Sequence, residues 1–512
     1  MSNESQSNKR LAKNTLILYA RMLFTVGISL YTSRVILANL GVSDFGLYNV
    51  IGGFISMFYM VTSSMSASIS RFLTFELGKK DIKRQISTFS TSVNIQIILS
   101  LIVLLIGETL GLWFVNNKMS FEPERLFAAN IVYQLAVFSF ISELLGIPYN
   151  SSVVAHEHMS FFAYLTIFNV VLKFAIAFLI AISPIDKVVF YALCMMLTGV
   201  LTQFIYFFYC RKKFCECNYK FIYNGQIFRQ MFSFGGWSFL SSVSTMMRGQ
   251  GVNILLNMFC GTIVNAAYGI ARQIDGTVKA FSNNFIMALN PQITKSYAEG
   301  DKEHAMALVY KGTKYSFLLL FMIAFPVMME TKSFLDIWLV KTPDYSVGFV
   351  QLTLILALVE VLLKPMWTLN NATGDVMMYQ IIMSVSQFMV LPICYMMLKL
   401  GYNPYSTMYV IIGAELVTFY PRIWVNRKHT GVTLKDYNKE IVFRLAPVVF
   451  FAFIGCDMLC MYMYPSIVRF LFIFICSTLI IAITTYSFAL NKQERKFLVN
   501  SISKLFYKFH NE

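Results

Sequence analysis

Runs of about twenty apolar residues recur along this chain from Asn14 to Leu490, with short polar stretches between them. An α-helix rises about 1.5 Å per residue, so a run of that length matches the ~30 Å hydrocarbon core of a bilayer. Several runs nonetheless carry Arg, Lys, Asp and Glu at helical spacing. A charge at the middle of a spanning helix costs roughly 2.5–3.5 kcal/mol on insertion scales, so such side chains are kept away from lipid. The pattern predicts an all-α polytopic membrane protein with a polar interior. Composition agrees: 57% of the residues are hydrophobic and 13% charged, against about 25% charged in soluble domains.

Fourteen spans are predicted, over 14–38, 45–72, 90–115, 126–147, 161–182, 188–209, 232–259, 263–293, 306–329, 347–370, 377–398, 404–424, 441–464 and 466–490. The first run is too long for the apolar core of a signal peptide and lacks a small-residue cleavage site, so it is read as a span. Basic residues concentrate in alternate loops, as in Lys79, Lys80, Lys83 and Arg84, or Arg211, Lys212 and Lys213. The intervening loops hold little beyond Lys118, Arg125, Lys187, Lys332, Lys341 and Lys399. Cytoplasmic loops carry the excess of Lys and Arg, so both termini are expected in the cytoplasm. The net charge of +16 thus reads as topology, and no nucleic-acid partner is expected. The segment 491–512 mixes lysines with Phe497, Leu498, Ile502 and Phe506, which suits a basic amphipathic helix on an anionic leaflet.

Leu40-Gly41 followed by Phe45-Gly46-Leu47-Tyr48 parallels Cys260-Gly261 followed by Asn265-Ala266-Ala267-Tyr268. Six spans separate the two, so both start in the same orientation. A parallel repeat of this kind gives two six-span lobes, over 14–210 and 227–426, with two further spans over 440–490. Nine cysteines are present. The cluster Cys210, Cys215 and Cys217 has no His nearby and no zinc spacing, so bystander thiols and no metal are expected. His156 and His158 flank Glu157 in one short loop, a weak pattern for catalysis.

Span eight is the most informative. Arg272, Asp275, Lys279, Asn283 and Asn290 fall along one face at helical spacing. Span one carries Asn14, Arg21, Thr25 and Thr32; span two carries Asn49, Ser56, Ser63, Ser66 and Ser70. Span ten offers Glu360, Lys364 and Asn371, with Pro365 to bend it. Serines and threonines are common at helix–helix contacts, so packing alone is an alternative for span two. Glu360 and Lys364 stand four residues apart and could simply neutralise one another. The span-eight stripe has a cation left over after one ion pair, which favours a water-filled cavity. With Arg34, Arg71, Lys173 and Arg248, intramembrane cations outnumber Glu108, Glu143, Asp275, Glu360 and Glu415. A basic cavity complements a phosphate or pyrophosphate, which Arg holds bidentately.

The segment from Ser33 to Tyr48, with Leu40-Gly41-Val42-Ser43-Asp44-Phe45-Gly46-Leu47-Tyr48 at its end, resembles the first-loop pattern of the polysaccharide transporter family. These are O-antigen-type (Wzx-like) flippases of the superfamily that includes MATE exporters and lipid II flippases. Asn290-Pro291-Gln292-Ile293 with Gly300-Asp301 resembles the end of that family's eighth span. The resemblance implies a bacterial cytoplasmic-membrane carrier. Its substrate would be an undecaprenyl-pyrophosphate-linked oligosaccharide, turned to the outer leaflet by alternating access around a cationic cavity. Arg21 and Asp44 resemble a first-span arginine and a first-outer-loop aspartate of the lipid II branch.

Three function classes follow. A flippase needs cations for the pyrophosphate and polar faces for the sugar, and no covalent chemistry. The residues assigned to substrate are Arg21, Arg248, Arg272, Lys279, Lys364 and Asn283; Asp275, then Glu360, is assigned to coupling with H+ or Na+. No cofactor is expected. Partners would be lipid-linked oligosaccharide, membrane lipids, and a glycan polymerase or glycosyltransferases. A multidrug or small-solute exporter of the same fold would be expected to have an acidic cavity. A polymerase or ligase would need larger outer loops than these.

Overall fold

The computed structural model describes residues 3–56, 58–117, 123–222, 224–339, 342–464, 466–491 and 494–495. Lys118, Lys341, the tail beyond Arg495 and the side chains of Arg34, Asn49 and Ser56 lie outside the described residues. The described residues are helical, with no strand. In chain order the α-helices are α1 (Asn3–Ser56), α2 (Tyr59–Lys79), α3 (Ile82–Ile106), α4 (Leu112–Asn117), α5 (Leu126–Ala155), α6 (Met159–Leu179), α7 (Lys187–Lys213), α8 (Gly225–Ala298), α9 (Lys302–Met329), α10 (Thr331–Trp338), α11 (Ser346–Thr373), α12 (Met377–Lys399), α13 (Ser406–Thr430), α14 (Leu434–Tyr437), α15 (Phe443–Tyr462) and α16 (Ile467–Thr484). Among the described residues, ten helical stretches are long and apolar enough to cross a membrane, which makes this a multi-pass membrane protein.

The other four expected spans fall on α1, α2 and α8. Here the structure differs from the loops anticipated near residues 39–44 and 260–262. The helical run continues through each region, broken at one residue. Gly41 has φ 80° and ψ 170°, and Gly261 has φ 79° and ψ −176°. That backbone region is essentially closed to residues with a Cβ, so a single glycine does the work of a loop. α2 starts at Tyr59, inside the stretch anticipated as span two.

Packing groups the chain into two compact units. The first comprises Met1–Val243, Met287–Ala305 and Asn371–Ile381; the second comprises Ser244–Ile286, Met306–Asn370 and Ile382–Glu512. In the first unit α5 packs against α2, α3 and α7. Its buried Ala128, Ala129, Val132, Tyr133, Val137, Phe140 and Leu144 supply much of the core. The Tyr133 hydroxyl donates to the Gly107 carbonyl at 2.8 Å, inside a π-helical turn that carries α3 on into α4. That turn loosens the α-helical ladder, and the tyrosine satisfies a carbonyl buried there. In the second unit α15 packs against α16. Phe317, Phe321 and Phe325 stack along α9, with ring centres 5.6 and 4.9 Å apart.

Candidate functional site

The span-eight stripe becomes part of a longer chain of charges, all within the second unit. On α8, Lys279 Nζ stands 2.8 Å from Asp275 Oδ1, one turn away, and 2.6 Å from Glu360 Oε2 on α11. Arg248, also on α8, divides its guanidinium: Nη2 donates to Glu360 Oε1 and Nη1 to Glu415 Oε1 on α13, each at 3.2 Å. Glu415 also accepts from Gln387 Nε2 of α12 at 2.8 Å and pairs with Arg422 two turns further along α13. At the other end Arg272 Nη1 lies 3.7 Å from Asp275 Oδ2. The order is Arg422, Glu415, Arg248, Glu360, Lys279, Asp275, Arg272, with the sign alternating at every step.

Alternation is what burial demands. An unpaired buried charge costs several kcal/mol, and each interior member here has an opposite charge on both sides. Arg248, Glu415 and Arg422 are all buried. Arg422 fills its remaining donors locally, with Thr418 Oγ1 at 2.8 Å and the Thr418 carbonyl at 3.2 Å. The opposite end is open: the Arg272 side chain is 47% exposed. Four cations face three carboxylates, so the chain carries one positive charge in surplus and presents an arginine where it opens.

The anticipated Glu360–Lys364 neutralisation does not form. Both Glu360 oxygens go to Arg248 and Lys279, and Lys364 donates to the exposed Asn283 side chain. The structure therefore brings Arg248, Arg272, Lys279, Asp275 and Glu360 into one network, with Lys364 and Asn283 bonded to one another. Arg21 belongs to the first unit, where its guanidinium lies 5.0 Å from the Phe162 ring centre. Arg71 is consumed by backbone carbonyls of Asn371 and Ala372, both at 3.0 Å. Span-one Thr25 and Thr32 bond back to carbonyls of their own helix, as does Ser63 on α2. Asp44 of the first-loop motif pairs with Arg125, which also holds Asp186. His156 Nε2 lies 2.5 Å from Glu216, and His158 Nδ1 lies 2.8 Å from the Tyr209 hydroxyl.

Arg422 and Gln387 escaped the reading of the sequence, and Glu415 entered it only as a count. Glu415 and Arg422 stand seven residues apart on one helix face, which is a legible signal. Gln387 gave none.

Several solved structures share this fold. A MATE crystallised in complex with MaD3S superposes with a TM-score of 0.72 at 11% identity, over 83% of this chain and 97% of that one. An outward-facing multidrug resistance MATE transporter of the MOP superfamily gives 0.69 at 12% identity, over 82% and 96%. A MOP superfamily transporter from Pyrococcus furiosus, described as having a binding pocket of reverse polarity, gives 0.69 at 12%, again over 82% and 96%. No curated protein sequence matches. Residues 11–297, more than half the chain, match the model of a family described as polysaccharide biosynthesis protein. A MATE-like helical fold with its charged chain in the second unit is thus what this sequence builds, and the chain belongs to the polysaccharide biosynthesis protein family.

Proposed function

We propose that this protein is a flippase for lipid-linked oligosaccharides. It moves undecaprenyl-pyrophosphate-linked repeat units from the cytoplasmic to the outer leaflet of a bacterial inner membrane, and both its termini are cytoplasmic. The observation that carries the reading is the open, surplus-positive end of the alternating charge chain at Arg272. A pyrophosphate is the ligand that such an end favours, since Arg binds it bidentately. Lys364 and Asn283 offer a second cation and an amide for sugar hydroxyls. Glycosyltransferases would supply the substrate, and a polymerase would consume it for surface polysaccharides such as O-antigen or capsule.

The same geometry suggests how transport is coupled. A pyrophosphate that draws Arg272 and Lys279 toward itself takes cations away from Asp275. That carboxylate then lacks compensation in a low-dielectric setting and takes up a proton or Na+. Glu360, shared between Arg248 and Lys279, is the second candidate. No covalent step is needed, so the protein acts as a carrier and not as an enzyme. Export of cationic drugs, the alternative for this fold, fits poorly with a surplus-positive site.

The test is flipping of a fluorescent polyprenyl-pyrophosphoryl oligosaccharide by the protein in vesicles. Arg272→Gln should slow flipping at least about tenfold, the loss of one charge-assisted contact worth ~1.5–3 kcal/mol. Asp275→Asn should abolish dependence on an ion gradient while substrate still binds. Wild-type rates in both variants would remove this reading.

A further inference from the structure

A second cavity lies wholly in the first unit, apart from the charge chain. It measures about 680 Å³ and is bounded by the ends of α2 and α3, the start of α8 and the turn after α11. That size falls within the ~300–1,000 Å³ of small-molecule sites. Its walls are prepared in three ways.

Arg71 braces it. The last carbonyls of a helix have no partner within that helix. Arg71 caps those of Asn371 and Ala372, and its face lies 4.4 and 4.6 Å from the ring centres of Phe72 and Phe75. The turn at 373–377 is thereby tied to α2.

Glu76 supplies an unmet acceptor. The residue is 4% exposed, and its Oε1 lies 3.4 Å from Arg84 Nε. Its Oε2 is buried with no hydrogen-bond partner among the described residues. A buried acceptor left without a donor costs about 1–3 kcal/mol, so a donor is expected to complete it.

Trp237 and Arg229 supply the rest. The half-buried indole lines the wall, and Ser233 and Gln230 stand beside it. Arg229 is exposed at the same cavity and has no ion-pair partner among the described residues.

We propose that this cavity binds a pyranose that bears a phosphate. An aromatic face accepts the C–H edge of a sugar ring, since its π face is negative and the ring hydrogens are positive. A sugar hydroxyl completes Glu76 Oε2. Arg229 takes the anionic substituent. A bare phosphate makes no use of the indole, so the sugar ring is part of what the site recognises. The inference stands on these residues alone and does not require the flippase reading.

The test is titration of the full-length protein in lipid nanodiscs, followed by calorimetry and saturation-transfer NMR, with glucose 1-phosphate, glucose and inorganic phosphate as probes. Glucose 1-phosphate should bind about fivefold or more tighter than either part, and Trp237→Ala should remove its advantage over inorganic phosphate. Arg229→Gln, an exposed change that leaves the fold intact, should make glucose 1-phosphate and glucose equal. Inorganic phosphate binding as tightly as glucose 1-phosphate, or binding of glucose 1-phosphate unchanged by Arg229→Gln, overturns the proposal. Competition by UDP-glucose would trace the ligand to soluble sugar nucleotides. Competition by a short-chain prenyl-pyrophosphoryl glucose would trace it to the membrane. Either supports the site, and competition by neither removes it. These are binding readouts, so their failure is distinct from a failure to flip.

Discussion

The two compact units share one backbone device and use charge in opposite ways. Gly41 in the first and Gly261 in the second interrupt a long helix with nearly the same φ and ψ, at matching places in the sequence repeat. In the first unit the ion pairs lie in loops, at helix ends or just past the Gly41 break: Arg125 with Asp44 and Asp186, His156 with Glu216, Lys295 with Glu157. In the second, Arg248, Lys279, Glu360, Glu415 and Arg422 join mid-helix charges into one alternating chain, beside separate pairs of Lys314 with Glu494, Arg444 with Glu440 and Arg469 with Glu330. The difference teaches that a common helical frame leaves the chemistry of its interior free. Pairs at an edge are partly solvated and fasten loops. Pairs in the interior must be complete, and any imbalance is exposed where the chain of charges opens.

The largest effect expected from this contrast is on stability. Glu415→Gln takes from the buried Arg422 the carboxylate it pairs with and from the buried Arg248 one of its two, and breaking one partner of a buried pair costs about 3–5 kcal/mol. Thermal unfolding in detergent should show a clearly larger loss for Glu415→Gln than for Arg125→Gln, which removes pairs that solvent reaches. Equal losses would erase the distinction between the units. Double replacement of Glu415 and Arg422 by Met should recover part of the loss, since well-packed apolar residues often match a buried ion pair.

Next come the glycines. Gly41→Ala and Gly261→Ala each force a Cβ into a backbone region that costs about 1–3 kcal/mol. Similar drops in melting temperature for the two would support the shared device. A drop at only one would show that the two breaks are not equivalent.

Glu216 gives the smallest expected effect and a pH signature. Burial works against its charged form, but the His156 contact outweighs that and holds the carboxyl below its ordinary range. A carboxylate with a depressed folded value stabilises above its unfolded pKa, and that stability is lost as pH falls through the folded value. Glu216→Gln should therefore be less stable than wild type at neutral pH, with the gap closing in acid below the ordinary carboxylate range. A gap independent of pH would mean that the pair contributes no charge term.

Much of this protein was readable before any coordinates. Apolar runs, basic loops and the Leu40-Gly41/Cys260-Gly261 parallel all report local physics: the length needed to cross hydrocarbon, the sidedness of charge, the backbone freedom of glycine. The stripe Arg272, Asp275, Lys279 was legible for the same reason, because three and four residues along a helix are neighbours whatever else it touches. Tertiary structure decided the partners. Glu360 had Lys364 one turn away and took Arg248 and Lys279 instead, because helices distant in sequence brought stronger compensation to a partly buried carboxylate. Arg71 read as one more intramembrane cation and became the cap of a helix that ends three hundred residues later. A hydrophobic period is written into each segment by itself. The pairing of buried charges depends on which segments meet, and only the packed chain determines that.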